Sequence, residues 1–306
     1  MMGPLHSNSI AIEERNLQAT NSAVSWSDVL ALSKPRISVM VLIVTAIGYA
    51  LGAGDAFSAI GLVHCLIGTA LVAVAANILN QVAERENDAR MIRTRNRPVA
   101  SGRMDAGEAA VLGWSAAIVG AAYLLKWSNG LAALLAVATF ALYLFVYTPL
   151  KRVSIYNTHV GAIPGALPPL IGFAAAAGHL TPAAWTLFAI LFTWQLPHFF
   201  AIAWMHREDY LRGGYRMLSS ADADGRRTGR WIVGYGVILL LVSLSPWWIG
   251  SAGLVYAAGA VVGGVALLIV GARVGSQRTA ASARAMLLAT IIYLPLLLAL
   301  LWIDRT

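Results

Sequence analysis

Four polar residues recur at helical spacing between Ala76 and Asp88: Asn77, Asn80, Glu84 and Asp88. At 100° per residue they fall at about 0°, 300°, 340° and 20°, a stripe roughly 80° wide on one helix face. Carboxylates four residues apart repel each other unless a cation lies between them. Glu84 and Asp88 are therefore candidate ligands for a hard cation such as Mg²⁺, which binds carboxylates together with substrate phosphates. Arg93, Arg95 and Arg97 follow directly, and guanidiniums suit two-point recognition of phosphate. Metal ligands followed by phosphate clamps point to a diphosphate substrate. The plainer alternative is that the arginines serve topology and pair with the acids as solvated surface charge.

A second constellation is Trp194-Gln195-Leu196-Pro197-His198-Phe199-Phe200, followed by His206-Arg207-Glu208-Asp209-Tyr210. Pro197 removes a backbone hydrogen bond. His198 then lies near membrane depth, where an imidazole is a satisfied core group, a proton shuttle or a metal-centre ligand. Asp209 either supplies a carboxylate to a second metal or to the same cavity, or is an exposed helix-end acid. Between the two constellations lies Tyr147-Thr148-Pro149-Leu150-Lys151-Arg152, and then a segment containing Asn157, Gly161, Pro164, Gly165, Pro168, Pro169 and Gly172. So many small and helix-breaking residues imply close helix packing and an interrupted helix beside a cavity.

The elements that must position these groups are membrane helices. Of 306 residues, 58% are hydrophobic and 12% charged, against about a quarter charged in soluble domains. Disorder, a coiled coil and a disulfide-stapled secreted domain are excluded by the same figures, and the lone Cys65 can close no internal disulfide. Nine apolar runs are expected to span: 37–54, 59–80, 106–125, 129–148, 157–178, 182–205, 229–249, 252–272 and 285–303. Residues 1–33, with Glu13, Glu14, Arg15 and Asp28, read as a polar cytoplasmic tail ahead of a spanning domain over 34–306. With nine spans, every one of the 22 basic residues except Lys126 and Arg305 falls on one side. The positive-inside rule then puts the N-terminus in the cytoplasm and the C-terminus across the membrane. It also explains the net charge of +8 without nucleic acid as a partner. Trp247, Trp248 and Trp302 fit an interfacial belt.

The run Asn80-x3-Glu84-x3-Asp88-x2-Met91-x-Arg93-Thr94-x2-Arg97-x4-Gly102 resembles the signature of the UbiA superfamily of intramembrane prenyltransferases. Within it the chain is similar to the haem O synthase (protohaem IX farnesyltransferase) branch through Lys34-Pro35-Arg36, Asn77, Tyr147-x3-Lys151-Arg152, Pro168-Pro169 and Trp194-Gln195-x-Pro197-His198-Phe199. The resemblance covers about residues 30 to 300. It implies an all-α membrane protein, nine transmembrane helices in a UbiA-type bundle with a central cavity, in a cell inner membrane. It implies farnesyl transfer from farnesyl diphosphate to a vinyl group of haem B, giving haem O, with Mg²⁺ as the metal and haem B as substrate rather than cofactor. Carried onto this chain, Asn80, Glu84, Asp88 and Asp209 would organise the metal. Arg93, Arg97, Lys151 and Arg152 would hold the diphosphate, and Asn77 and His198 would stand on the haem side. Asp88, Glu84, Lys151 and His198 would carry catalysis. A haem A synthase or terminal oxidase assembly is the implied downstream partner.

The chain departs from that pattern at Glu84, where Asp is commoner, at Asn87, where an apolar residue is usual, and at His159 and Pro164 in the fifth span. Glutamate also binds Mg²⁺, so the first change preserves the chemistry. His159 is either an extra haem-side ligand or, the better reading, a helix-packing histidine. The rivals are a quinone-type prenyltransferase with an aromatic acceptor and a secondary transporter, since buried charge beside broken helices also lines transport paths. Clustering of acids and arginines on one membrane face favours a catalytic mouth.

Overall fold

The computed structural model describes residues 25–306; Glu13, Glu14 and Arg15 of the expected tail lie outside the described residues. The end of that tail is a helix, α1 (Trp26–Ser33), capped by Ser25 and docked through the fully buried Leu32. Leu32 packs with Ile78, Val99 and Met104, which is why a segment too polar to span is nonetheless held. Lys34 turns the chain at φ 47° into α2 (Pro35–Ala53). The proline keeps the preceding residue out of the right-handed helical region and suits the first helical position.

The next helices are α3 (Ala59–Arg90), α4 (Ala106–Trp127) and α5 (Gly130–Ala141). A π turn, Leu142–Tyr147, joins α5 to α6 (Thr148–Val153). The fifth span is broken at Leu167 into α7 (Asn157–Ala166) and α8 (Pro168–Ala177), as the paired prolines predict. Then come α9 (Pro182–Met205), α10 (Arg207–Arg212), α11 (Arg226–Ser243), α12 (Ser245–Trp248), α13 (Leu254–Gln277) and α14 (Ala280–Ile303). Among the described residues, nine helices or helix pairs are long and apolar enough to cross a membrane, one at each expected run. Four boundaries differ by five residues or more, the fourth span running on to Val153 and the eighth to Gln277. The second span continues ten residues past Asn80 because its polar stripe is buried, not solvated. The ninth begins at Ala280 because Thr279 and Ser282 cap each other reciprocally.

Two buried clusters make the core. One joins Cys65, Val72 and Leu79 of α3 to Leu124, Ala136, Ile171 and Ala174. The other joins Ala162 and Ala166 of α7 to Leu196, Phe200, Ile232, Leu267 and Leu294. The broken fifth span thus contributes α8 to the first cluster and α7 to the second. Helices α2 and α8 cross with their backbones touching: a Cβ on Gly48 would fall on the Pro169 carbonyl, and one on Gly172 on that of Thr45. Ile118, Val262 and Ile292 are among the large apolar side chains left on the outside, as a hydrocarbon solvent requires.

At 1.5 Å per residue the 32 residues of α3 reach about 48 Å, beyond a hydrocarbon layer of about 30 Å. Its last turns therefore stand at the basic end of the bundle, where the loops after α3, α6 and α9 gather over it.

Candidate active site

Asn77, Asn80, Glu84 and Asp88 are all buried, between 1% and 5% exposed, and between them they meet the α1–α2 junction, α6 and the loop after α3. Lys34 Nζ donates to Asn80 Oδ1 at 2.8 Å, and Asn80 Nδ2 donates to Thr148 Oγ1 at 3.1 Å. Thr148 is free to accept because its own proton goes to the Tyr143 carbonyl at 2.8 Å, across the π turn. Lys151 Nζ lies 2.8 Å from Glu84 Oε1, and Arg97 Nη1 lies 2.6 Å from Asp88 Oδ2. The Lys151 ammonium also stands 4.5 Å from the centre of the Tyr147 ring and 5.8 Å from that of Tyr215. Three cationic groups, Lys34, Lys151 and Arg97, thus face two carboxylates at the inner end of the basic mouth. Burial, and then the positive charge of Arg97, pull the Lys34 ammonium down to about 7. That crowding of positive charge is a site prepared for an anion.

Asp88 Oδ1 is buried with no hydrogen-bond partner, as is Gln81 Oε1. A carboxylate oxygen left over after its arginine pair, with Glu84 one turn away, fits a hard oxygen-seeking cation. Asp209 does not join them: among the described residues no three His, Cys, Asp or Glu side chains gather as a metal cluster. Its carboxylate instead accepts from the backbone amides of Ile92 (2.7 Å) and Arg93 (3.1 Å) and lies 3.5 Å from Arg212. Asn87 ties the same two segments, donating to the Gly213 carbonyl at 2.6 Å, which accounts for a polar residue at that place.

Other expected positions are also drawn into structural bonds. Asn77 donates to Ser33 O and Ser38 Oγ, both at 3.2 Å, and so holds the α1–α2 junction. Arg152 donates to the Ala83 carbonyl at 2.8 Å from an exposed position. Arg93 reaches Tyr210 (3.5 Å to its hydroxyl) and lines a neighbouring cleft of about 740 Å³ with Trp204, His206, Arg207 and Arg278. His198 Nδ1 lies 2.8 Å from Thr290 Oγ1, and its ring stacks on Trp194 at 4.7 Å. The single Thr290 proton goes to the Leu287 carbonyl at 2.7 Å, so Nδ1 is the donor and Nε2 keeps its lone pair. His159 bonds Tyr235 through Nε2 at 2.8 Å and sits against Phe200 and Trp231, a helix-packing place.

The groups around this cluster that motif reading passes over are Lys34, Thr148 and Tyr215. Lys34 was visible only as part of the Lys34-Pro35-Arg36 run. Thr148 depends on a π turn that no periodicity marks, and Tyr215 on a loop fold.

The family model for the UbiA prenyltransferase family matches residues 41–301. The chain is 47% identical to a protoheme IX farnesyltransferase of Solibacter usitatus, over 91% of this chain and 98% of the relative. It is 42% identical to one of Koribacter versatilis, over 91% and 93% respectively. Among solved structures, a digeranylgeranylglyceryl phosphate synthase superposes with a TM-score of 0.76 at 16% identity, covering 91% of this chain and 97% of that one. A UbiA homolog from Archaeoglobus fulgidus, bound to GPP and Mg²⁺, superposes with a TM-score of 0.69 at 16% identity, covering 90% and 98%. The chain belongs to the UbiA prenyltransferase family and is a multi-pass membrane protein.

Proposed function

We propose that this UbiA family member transfers the farnesyl group of farnesyl diphosphate to a vinyl group of haem B, giving haem O. The observation that carries the reading is the interleaving of Lys34, Lys151 and Arg97 with Glu84 and Asp88 inside an apolar bundle. The relatives named protoheme IX farnesyltransferase supply the acceptor. The basic end, and with it the N-terminal side, faces the cytoplasm in this proposal, by the placement of the arginines.

Asp88 through Oδ1, with Glu84, would hold Mg²⁺. An ion held by these two carboxylates would supply positive charge to offset the negative charge that grows on the diphosphate. Lys151 and Arg97, released from their carboxylates as the anion enters, turn to the diphosphate. Lys34 at about 7 takes up a proton as negative charge arrives. These cations favour departure because their attraction grows as the C1–O electron pair passes to the leaving oxygen. Surrounding apolar helices keep water from the allylic cation until the vinyl group attacks it. A water then adds to the new cation beside the porphyrin and gives up its extra proton to a second water or to His198 Nε2, leaving a hydroxyethylfarnesyl group. His198 offers the Nε2 lone pair to the acceptor side, where it would hold the haem or accept a proton. Asp209 serves by fixing the loop that carries Arg93 and Arg97.

The test is to supply membranes containing the protein with haem B, farnesyl diphosphate and Mg²⁺ and to follow haems by chromatography and mass. A haem heavier by a farnesyl group plus a hydroxyl is expected. Prenylation of a hydroxybenzoate with no change in haem would overturn the acceptor while keeping the transfer. His198→Ala should lower haem turnover more than farnesyl diphosphate binding.

A further inference from the structure

Tyr215 reaches the mouth of the site from the loop after α10. Its ring packs with Met91, Ala203 and Met217 and meets Tyr210 edge-on at 6.1 Å, and the residue is only 3% exposed. Phenylalanine would fill that place equally well. The tyrosine instead carries a buried hydroxyl with no hydrogen-bond partner, an arrangement that costs stability and calls for an explanation. The ring stands 5.8 Å from the Lys151 ammonium. Its position relative to Lys151 is fixed through the backbone, because the amide of Arg216 donates to the Lys151 carbonyl at 2.8 Å. The carbonyl of Arg216 is held in turn by Asn157 Nδ2 at 2.9 Å.

The unpaired groups in this neighbourhood are complementary. Asp88 Oδ1 and Gln81 Oε1 are acceptors, matched to a cation, whereas the Tyr215 hydroxyl is a donor. A donor beside an ammonium finds its natural partner in an anion that the ammonium also attracts. We propose that the Tyr215 hydroxyl is a catalytic hydrogen-bond donor to the departing diphosphate, acting beside Lys151. This rests on the prenyl-transfer reading above. The C1–O bond of the prenyl diphosphate breaks, and its electron pair stays on the diphosphate oxygen. Tyr215 donates to the diphosphate without giving up its proton, and the allylic cation passes to the acceptor. Burial, followed by the negative charge of Glu84, pushes the phenol up, so it remains a donor throughout turnover. Its bond strengthens as charge develops on the leaving group, which is the condition for lowering a barrier rather than merely binding substrate.

The experiment is Tyr215→Phe in the full chain, reconstituted in nanodiscs. Three quantities are compared with wild type: single-turnover prenyl transfer, the affinity of pyrophosphate with Mg²⁺, and the thermal midpoint without ligand. Pyrophosphate has the leaving group's full charge, so it reports the donor without turnover. Transfer should slow by roughly 10²-fold, as for loss of one donor to a developing oxyanion. Pyrophosphate should bind on the order of 10-fold more weakly, as for a lost bond to a charged group. The midpoint should hold or rise, because an unsatisfied buried hydroxyl is gone. Unchanged transfer and affinity would overturn the role, and so would losses accompanied by a falling midpoint, which would mark Tyr215 as a packing residue. If wild type makes no prenylated product, the reaction reading fails. The pyrophosphate comparison still decides the donor.

Discussion

Replacing Glu84 by Gln keeps the size and removes one charge from a pair whose atoms lie 2.8 Å apart, with side chains only 4% and 14% exposed. At an effective dielectric of about 20 the attraction across that distance is about 6 kcal/mol. The cost of taking both ions out of water offsets most of it, whereas breaking such a pair by removing one partner costs about 3–5 kcal/mol. Glu84→Gln leaves Lys151 uncompensated among Lys34 and Arg97, with only Asp88 opposing three cations. Lys151→Met strands Glu84 in the same way. In the double variant neither stranded charge remains, so its destabilisation should fall short of the sum of the singles by about 2 kcal/mol, within the range for residues in direct contact. Unfolding midpoints in mixed detergent micelles give the four corners of this cycle. Activity should follow another rule: all three variants lose prenyl transfer, and the double is not rescued, because the diphosphate still lacks the ammonium. Additive stabilities would refute the buried-pair argument. Recovery of activity in the double would refute the role of Lys151 in the chemistry.

Asp209→Ala should free the amides of Ile92 and Arg93, so trypsin should cut the Arg93–Arg97 loop faster than in wild type while the spans stay intact; an unchanged cleavage rate would count against the capping role. With Lys34 at about 7 when folded and about 10.4 when unfolded, the unfolded chain binds more protons between those values. Metal-free protein should therefore gain stability as pH rises from about 7 toward 9.5. In Lys34→Met that rise should be reduced, and an identical pH profile would exclude Lys34 as its source. Arg97→Lys should weaken pyrophosphate by about 10-fold, because an ammonium cannot present the guanidinium fork; calorimetry with Mg²⁺ showing equal affinity would dismiss the fork.

What sequence alone made legible follows from period and chemistry. The nine spans are long apolar runs, and the stripe from Asn77 to Asp88 is a helical period that survives any error in span boundaries. The break at Leu167 is announced by Pro168 and Pro169. What stayed hidden depends on groups far apart in the chain. Asp209 has the composition of a metal ligand, and only the fold shows its oxygens occupied by amides more than a hundred residues earlier. Asn77 lies on the same stripe as Asp88 and yet serves the α1–α2 turn, because that turn presents the Ser33 carbonyl and the Ser38 hydroxyl to its amide. Lys34 enters the site only because the chain passes through a left-handed residue, which no hydrophobic pattern records.

The bonds around α3 also set an order of events during synthesis. Asp88 finds Arg97 nine residues later, Glu84 must wait 67 residues for Lys151, and the amides of Ile92 and Arg93 wait 117 and 116 residues for Asp209. At about 5–20 residues per second, that last interval is roughly 6–23 s of translation, in which four further spans are made. Each carboxylate of α3 thus gains its counter-charge while the helices around it are still arriving, and the loop that presents the arginines is fastened last. A chain halted before the end of α9 would rest in the bilayer with its acids neutralised and the loop that carries Arg93 and Arg97 open. That fastening comes once six of the nine spans among the described residues have been made, with three still to follow.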